Sequence, residues 1–216
     1  MVLRTLFGIA LLSATAGAGA ASVRGVVDVR LELRPPAARP DPSALETAPR
    51  REQPDRRRSV VYLERAPQGA FEEAPRGRVV LDQRGEAFLP YVLAVAAGTS
   101  VDFTNSDVTY HNVFSLSKPK RFDLGRYARG QTKSVRFDTP GVVRVFCDIH
   151  SHMNAWVLVF AHRFFAATEN GAYRIDGLPP GHYRLAVWTD GQVRETRALH
   201  VASDEDALVE DFVVEK

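Results

Sequence analysis

A chain of 216 residues, 45% hydrophobic and 25% charged, has the composition of a globular protein and room for one large or two small domains. Its 28 basic and 26 acidic residues nearly balance, which argues against nucleic acid as the main partner. A single cysteine excludes an internal disulfide.

The first residues read as a secretory signal: Arg4, the apolar run Leu6 to Leu12, then small residues through Ala20 and Ala21. The predicted signal peptide is 1–21, with cleavage near Ala20 or Ala21. Its apolar core is too short for a permanent membrane span; an uncleaved signal anchor is the alternative. Cleavage removes Arg4 and no acidic residue, leaving a mature chain close to neutral with no membrane span. The expected location is periplasmic or secreted.

Val23 to Leu33 alternates as a strand does. From 34 to 58 the composition shifts to prolines and arginines, among them Pro35, Pro36, Pro40, Arg50, Arg51 and Arg56. Such a segment buries little and reads as a surface loop, solvated or docking an acidic partner. Ser59 to Glu64 is the next strand. From Arg78 onward short strand-like runs follow at close intervals: Val79–Leu81, Tyr91–Val95, Ser100–Phe103, Asn112–Ser115, Lys133–Phe137, Gly141–Phe146 and Ala155–Phe160. No amphipathic helix pattern competes, so the fold class is all-β, a Greek-key sandwich or barrel.

The tail continues in the same style. Phe164–Thr168 and Ala172–Ile175 flank Glu169-Asn-Gly171, a hairpin signal. Tyr183–Trp188 and Val193–Val201 flank Thr189-Asp-Gly191, and Leu208–Val214 supplies a last strand. The tail lacks the opening strands of a closed sandwich, and the early strands can supply them. The predicted layout is therefore a domain over 76–161 inserted into a second small β-sandwich, built from 22–75 and 162–216. In the alternative, the early strands simply extend the central sandwich.

The chemistry concentrates in Cys147-Asp-Ile-His150-Ser-His152-Met153 and in His111, which lies in the extended run from Val101 to Phe114. An exported lone cysteine is a leftover thiol, an intermolecular bridge or a metal ligand, and the neighbouring histidine and methionine favour the last. Two imidazoles, a thiolate and a distant thioether form the donor set that holds copper for one-electron transfer. The predicted ligands to one copper ion are His111, Cys147 and His150, with Met153 axial. His152 is a possible alternative fourth ligand. His162, His182 and His200 read as surface residues, and Phe103, Phe114, Phe146 and Trp156 as core.

Residues 86–160 resemble the cupredoxins, the plastocyanin- and amicyanin-like blue copper proteins. The matching stretches are Phe88-Leu-Pro90, Val95 to Asp107, His111-Asn112, Phe122-Asp-Leu-Gly125, Phe137, Gly141 and Val145 to Met153. The Cys-x-x-His-x-x-Met spacing is nearest to that of amicyanin. The whole resembles an exported, methylamine-utilisation-like group. Asn170 to Ile175 and Leu178 to Leu185 resemble a carboxypeptidase-regulatory or transthyretin-like sandwich. The resemblance implies that Asn112 ties the ligand segments together by hydrogen bonds. It also implies an electron carrier, not an enzyme, whose partner is a redox protein such as a dehydrogenase or cytochrome. Copper storage or delivery is the alternative, and a binding role in which the flanking sandwich grips a partner is a third. A copper oxidase or nitrite reductase is disfavoured, because one cysteine permits one site of this kind and the sequence shows no second histidine cluster to hold a catalytic copper.

Overall fold

The computed structural model describes residues 21–30, 58–67 and 77–215. The signal segment before Ala21, and the Pro/Arg-rich loop 34–58 apart from Arg58, lie outside the described residues. Among the described residues there are seventeen strands and no helix. They are β1 (Ala21–Arg30), β2 (Val60–Leu63), β3 (Arg78–Gln83), β4 (Phe88–Leu89), β5 (Val92–Ala96), β6 (Thr99–Asn105), β7 (His111–Ser115), β8 (Phe122–Tyr127) and β9 (Thr132–Phe137). There follow β10 (Gly141–Phe146), β11 (Asn154–Phe160), β12 (Phe165–Ala167), β13 (Ala172–Leu178), β14 (Gly181–Thr189), β15 (Gln192–Val201), β16 (Ala207–Val209) and β17 (Phe212–Glu215).

Strands β3 to β11 form two sheets, ordered β4-β3-β6-β9 and β5-β11-β10-β7-β8. Alternation decides what lies between them: in β6, Thr99, Val101, Phe103 and Asn105 are buried while the residues between are half-exposed. Leu81, Phe88, Val101, Phe103, Val113, Val143, Val145 and Val157 fill the space between the sheets, and Cys147 and Met153 belong to the same cluster.

β1 and β2 pair with strands that follow residue 164. β1 pairs with β13, β16 and β17, and β2 with β12 and β14. The two resulting sheets enclose a separate core around Val23, Val61, Leu63, Ile175, Leu185, Val187, Val201 and Phe212. A third, smaller cluster of Val60, Tyr91, Val92, Leu158 and Trp188 joins the two sandwiches. There the Trp156 and Trp188 rings meet edge to face at 5.4 Å, an arrangement favoured by the ring quadrupoles.

Several local expectations need correction. The turn at Asn170 and Gly171 forms, with φ of 50° and 82°, but it does not make a hairpin. β12 pairs with β2 in one sheet while β13 pairs with β1 in the other, and only the Glu169–Ala172 bridge joins the two sides of the turn. The last strand is broken in two. Gly25 of β1 approaches so closely that a Cβ there would lie 2.0 Å from the Glu210 carbonyl oxygen. Glu210 donates its N–H to the Arg24 carbonyl (2.9 Å), and the Asp211 carboxylate accepts from the Val26 N–H (2.8 Å). β8 escapes a periodicity reading because it is an edge strand interrupted by Gly125 at φ 63°. His162 is no surface residue: it is 7% exposed, its Nδ1 accepts from the Phe164 N–H (3.2 Å), and burial lowers its pKa. His182 and His200 are exposed and stack at 4.2 Å as cross-strand partners. Phe114, Phe146 and Trp156 are half-buried, with Trp156 packed at the junction between the sandwiches.

Candidate metal centre

Strand pairing brings the two distant sequence segments to one place. β7 and β11 both run antiparallel to β10, with Phe146 opposite Phe114 on one side and Asn154 on the other. The end of β10, the start of β7 and the start of β11 therefore lie at one end of the sandwich. His111 opens β7, Cys147 follows β10, and His150 and Met153 precede β11. The connecting loop is closed by its own main chain: the Cys147 N–H donates to the Met153 carbonyl (3.3 Å), and the Met153 N–H to the His150 carbonyl (2.9 Å).

Within this frame His111, Cys147 and His150 present donor atoms that lie together. The His111 Nδ1 is 3.1 Å from the His150 Nδ1, and the Cys147 Sγ is 3.9 Å from each nitrogen. The point equidistant from these three atoms lies about 2.1 Å from each, within the roughly 2.0–2.3 Å that nitrogen and sulfur keep from a transition metal. The three donors thus fit a trigonal ion. Met153 is fully buried in the cluster that holds Cys147. His152 is turned aside, with its Nε2 3.4 Å from Glu86 Oε2 and its ring 6.0 Å from that of His150.

The surroundings orient the imidazoles. The His111 Nε2 is 2.8 Å from Asp107 Oδ2. A carboxylate only accepts, so this nitrogen carries a hydrogen, and Nδ1 is the ring nitrogen that faces the other donors. Burial pushes the Asp107 carboxyl up, but the Glu86 (2.8 Å) and Gly85 (2.6 Å) amides and the His111 imidazole outweigh it and hold the pKa below the ordinary carboxylate value. Burial, and next the neighbouring His111, hold the His150 pKa below its ordinary value, favouring the neutral ring that ligates. Cys147 is 4% exposed, and its sulfur receives the main-chain N–H of Asn112 at 3.5 Å.

That last contact, made by the Asn112 main chain, links the two ligand segments; the buried Asn112 Oδ1 has no hydrogen-bond partner among the described residues. Asp107 was given no role from sequence alone. The signal that could have found it is its i,i+4 spacing to His111, because a ligating imidazole regularly donates its second N–H to a carboxylate.

A two-sheet β-sandwich in which two imidazoles and a thiolate converge beside neighbouring strand ends defines the class of small single-copper redox proteins. No family model matches the chain. Amicyanin-alpha of Methylorubrum extorquens is 31% identical over 93 residues, covering 42% of this chain and 78% of that protein. The chain belongs to the cupredoxin family. Cupredoxins hold one copper ion and carry electrons between redox partners, so this is a copper electron-transfer protein. Among solved structures, amicyanin of Paracoccus versutus is 24% identical with a TM-score of 0.37, covering 42% of this chain and 89% of its own. A purple cupredoxin of Nitrosopumilus maritimus is 22% identical with a TM-score of 0.35, covering 38% and 99%. A copper-containing nitrite reductase of Thermus scotoductus is 27% identical with a TM-score of 0.37, covering 38% of this chain and 22% of its own.

Proposed function

We propose that this protein is an exported type 1 copper protein that passes single electrons between redox proteins, with the ion held by His111, Cys147 and His150 and Met153 on its axis. The observation that carries the reading is the triangle of donor atoms, 3.1, 3.9 and 3.9 Å on its sides, enclosed where three strand ends meet. Bound copper supplies a one-electron couple. The chain's residues keep its surroundings constant: Asp107 orients His111, the Asn112 N–H points to the sulfur, and the loop's main-chain bonds hold Cys147 to Met153. Such fixed donors limit rearrangement between oxidation states, so the protein contributes orientation and potential rather than bond chemistry.

Met153 is favoured over His152 as the fourth ligand because it is fully buried beside Cys147, whereas His152 is engaged with Glu86. Half-buried His150, between exposed Ile149 and half-buried His152, is the route by which a dehydrogenase or cytochrome would exchange electrons. Storage or delivery is less well supported, since His111 is 0% and Cys147 4% exposed, and a closed site exchanges its ion slowly.

The pairing of β1 and β2 with the late strands supports a copper domain over 76–161 inserted in a transthyretin-like sandwich made of 22–75 and 162–216. Ala21 is buried in the second core, so a cleavage before it fits the fold better than one after it; the signal-like first residues are what supports a periplasmic or secreted product. The test is to add cupric ion to the purified protein. An intense visible band from sulfur-to-copper charge transfer is expected, lost in Cys147→Ser. A band that survives this substitution would remove Cys147 from the site.

A further inference from the structure

The junction between the sandwiches reaches the ligand loop. The turn joining β14 to β15, Asp190 and Gly191 at φ 47° and 96°, projects from the second sandwich onto β11. It comes close enough that a Cβ on Gly191 would lie 3.2 Å from the Trp156 ring. The buried Tyr91 hydroxyl donates to Asp190 Oδ1 (3.0 Å) and accepts from Trp156 Nε1 (3.2 Å). The same hydroxyl lies 3.5 Å from Asn154 Oδ1, and Asn154 Nδ2 donates to the His152 carbonyl (3.1 Å). Asn154 directly follows Met153 and sits opposite Phe146, the neighbour of Cys147.

A phenol has one hydrogen to give. Asp190, a carboxylate at the shorter distance, takes it, which leaves Asn154 oriented toward the loop carbonyl. The hydroxyl fixed there stands 3.5 Å from Asn154 Oδ1 and backs the amide whose Nδ2 donates to the His152 carbonyl, so removing either Asp190 or the hydroxyl takes that backing away. We infer that Asp190 is a positioning residue for the metal-binding loop: through Tyr91 and Asn154, the flanking sandwich holds the segment from Cys147 to Met153 in its closed form. The inference rests on the reading that this segment carries the copper ligands. It gives the flanking sandwich a role at the centre, and it makes that centre responsive to whatever binds the sandwich.

Three substitutions in the full chain test it. Asp190→Gly removes the acceptor but keeps a residue at ease with positive φ. Asp190→Asn keeps an oxygen acceptor and also tolerates that conformation. Tyr91→Phe removes the hydroxyl. The readouts are the rate of copper transfer to excess chelator, the reduction potential, and amide hydrogen exchange at Cys147 and Met153 in the metal-free protein.

Asp190→Gly and Tyr91→Phe should each speed copper loss and loop exchange about fivefold, the scale of one hydrogen bond. They should shift the potential in the same direction, with no further effect when combined, and Asp190→Asn should behave as the parent. If Asp190→Gly and Tyr91→Phe lower only the unfolding temperature while copper loss, potential and exchange stay at parental values, the junction is merely structural and the inference fails. If the parent develops no sulfur-to-copper band, the copper reading fails instead, and the exchange measurement on metal-free protein still decides the positioning role.

Discussion

Replacing Asp107 tests how far the surroundings of the ligands set the properties of the centre. Its carboxylate meets the Nε2–H of a fully buried imidazole at 2.8 Å and is itself only 14% exposed, so solvent replaces little of what is lost. A hydrogen bond to a charged partner in such a place is worth about 1.5–3 kcal/mol, which corresponds to roughly 10–100-fold in affinity if the loss falls on the metal-bound state. Asp107→Ala should therefore weaken copper binding by about that factor, read by competition with a chelator of known affinity. Asp107→Asn retains a neutral acceptor and should lose less. The carboxylate also makes the ligating imidazole a stronger donor and favours the oxidised ion, so both variants should raise the reduction potential, Ala more than Asn. Unfolding of the metal-free variants separates this from the loss of the Gly85 and Glu86 amide contacts. Affinity within about twofold of the parent and an unmoved potential for Asp107→Ala would refute the reasoning.

Other outcomes follow from the same geometry. Met153→Leu should keep the visible band and raise the potential, whereas His152→Ala should change neither; voltammetry of both variants decides which is axial. His162, buried and neutral, has a folded-state pKa below the ordinary value of 6.5. The unfolded chain therefore binds the extra proton first, and this contribution to stability, complete above about pH 6.5, is lost as pH falls through that value. Urea unfolding from pH 7 down to pH 5 should accordingly show a shallower loss of stability in His162→Asn, whose side-chain oxygen can still accept from the Phe164 N–H. Gly25→Ala forces a Cβ against the Glu210 carbonyl and should destabilise the second sandwich by about 1–3 kcal/mol, with the visible band of the folded protein unchanged.

What could be read before folding was whatever lies close in sequence or follows from periodicity. Cys147, His150 and Met153 share one seven-residue stretch, so their common loop was legible directly. His111 stood out as the histidine in the run from Val101 to Phe114, which the fold divides between β6 and β7, and β7 beside β10 is how the fold carries it to that loop. Strands with strong alternation such as β6 were equally plain. The handover of the chain from β12 to β13 between different sheets was not, because a positive-φ turn looks the same whether or not its arms stay paired. Nor was the break between β16 and β17, which depends on the close passage of Gly25 in a strand far away in sequence. Asp190 is hidden for a related reason, since it acts on a side chain whose position only the tertiary structure supplies, whereas Asp107 stands four residues before the imidazole it touches.

The central claim is that one ion sits among His111, Cys147 and His150, and X-ray absorption at the copper edge of the loaded protein tests it most directly. One short copper–sulfur distance and two nitrogen neighbours are expected, with the sulfur contribution gone in Cys147→Ser. A first shell of nitrogen and oxygen alone in the parent protein would contradict it.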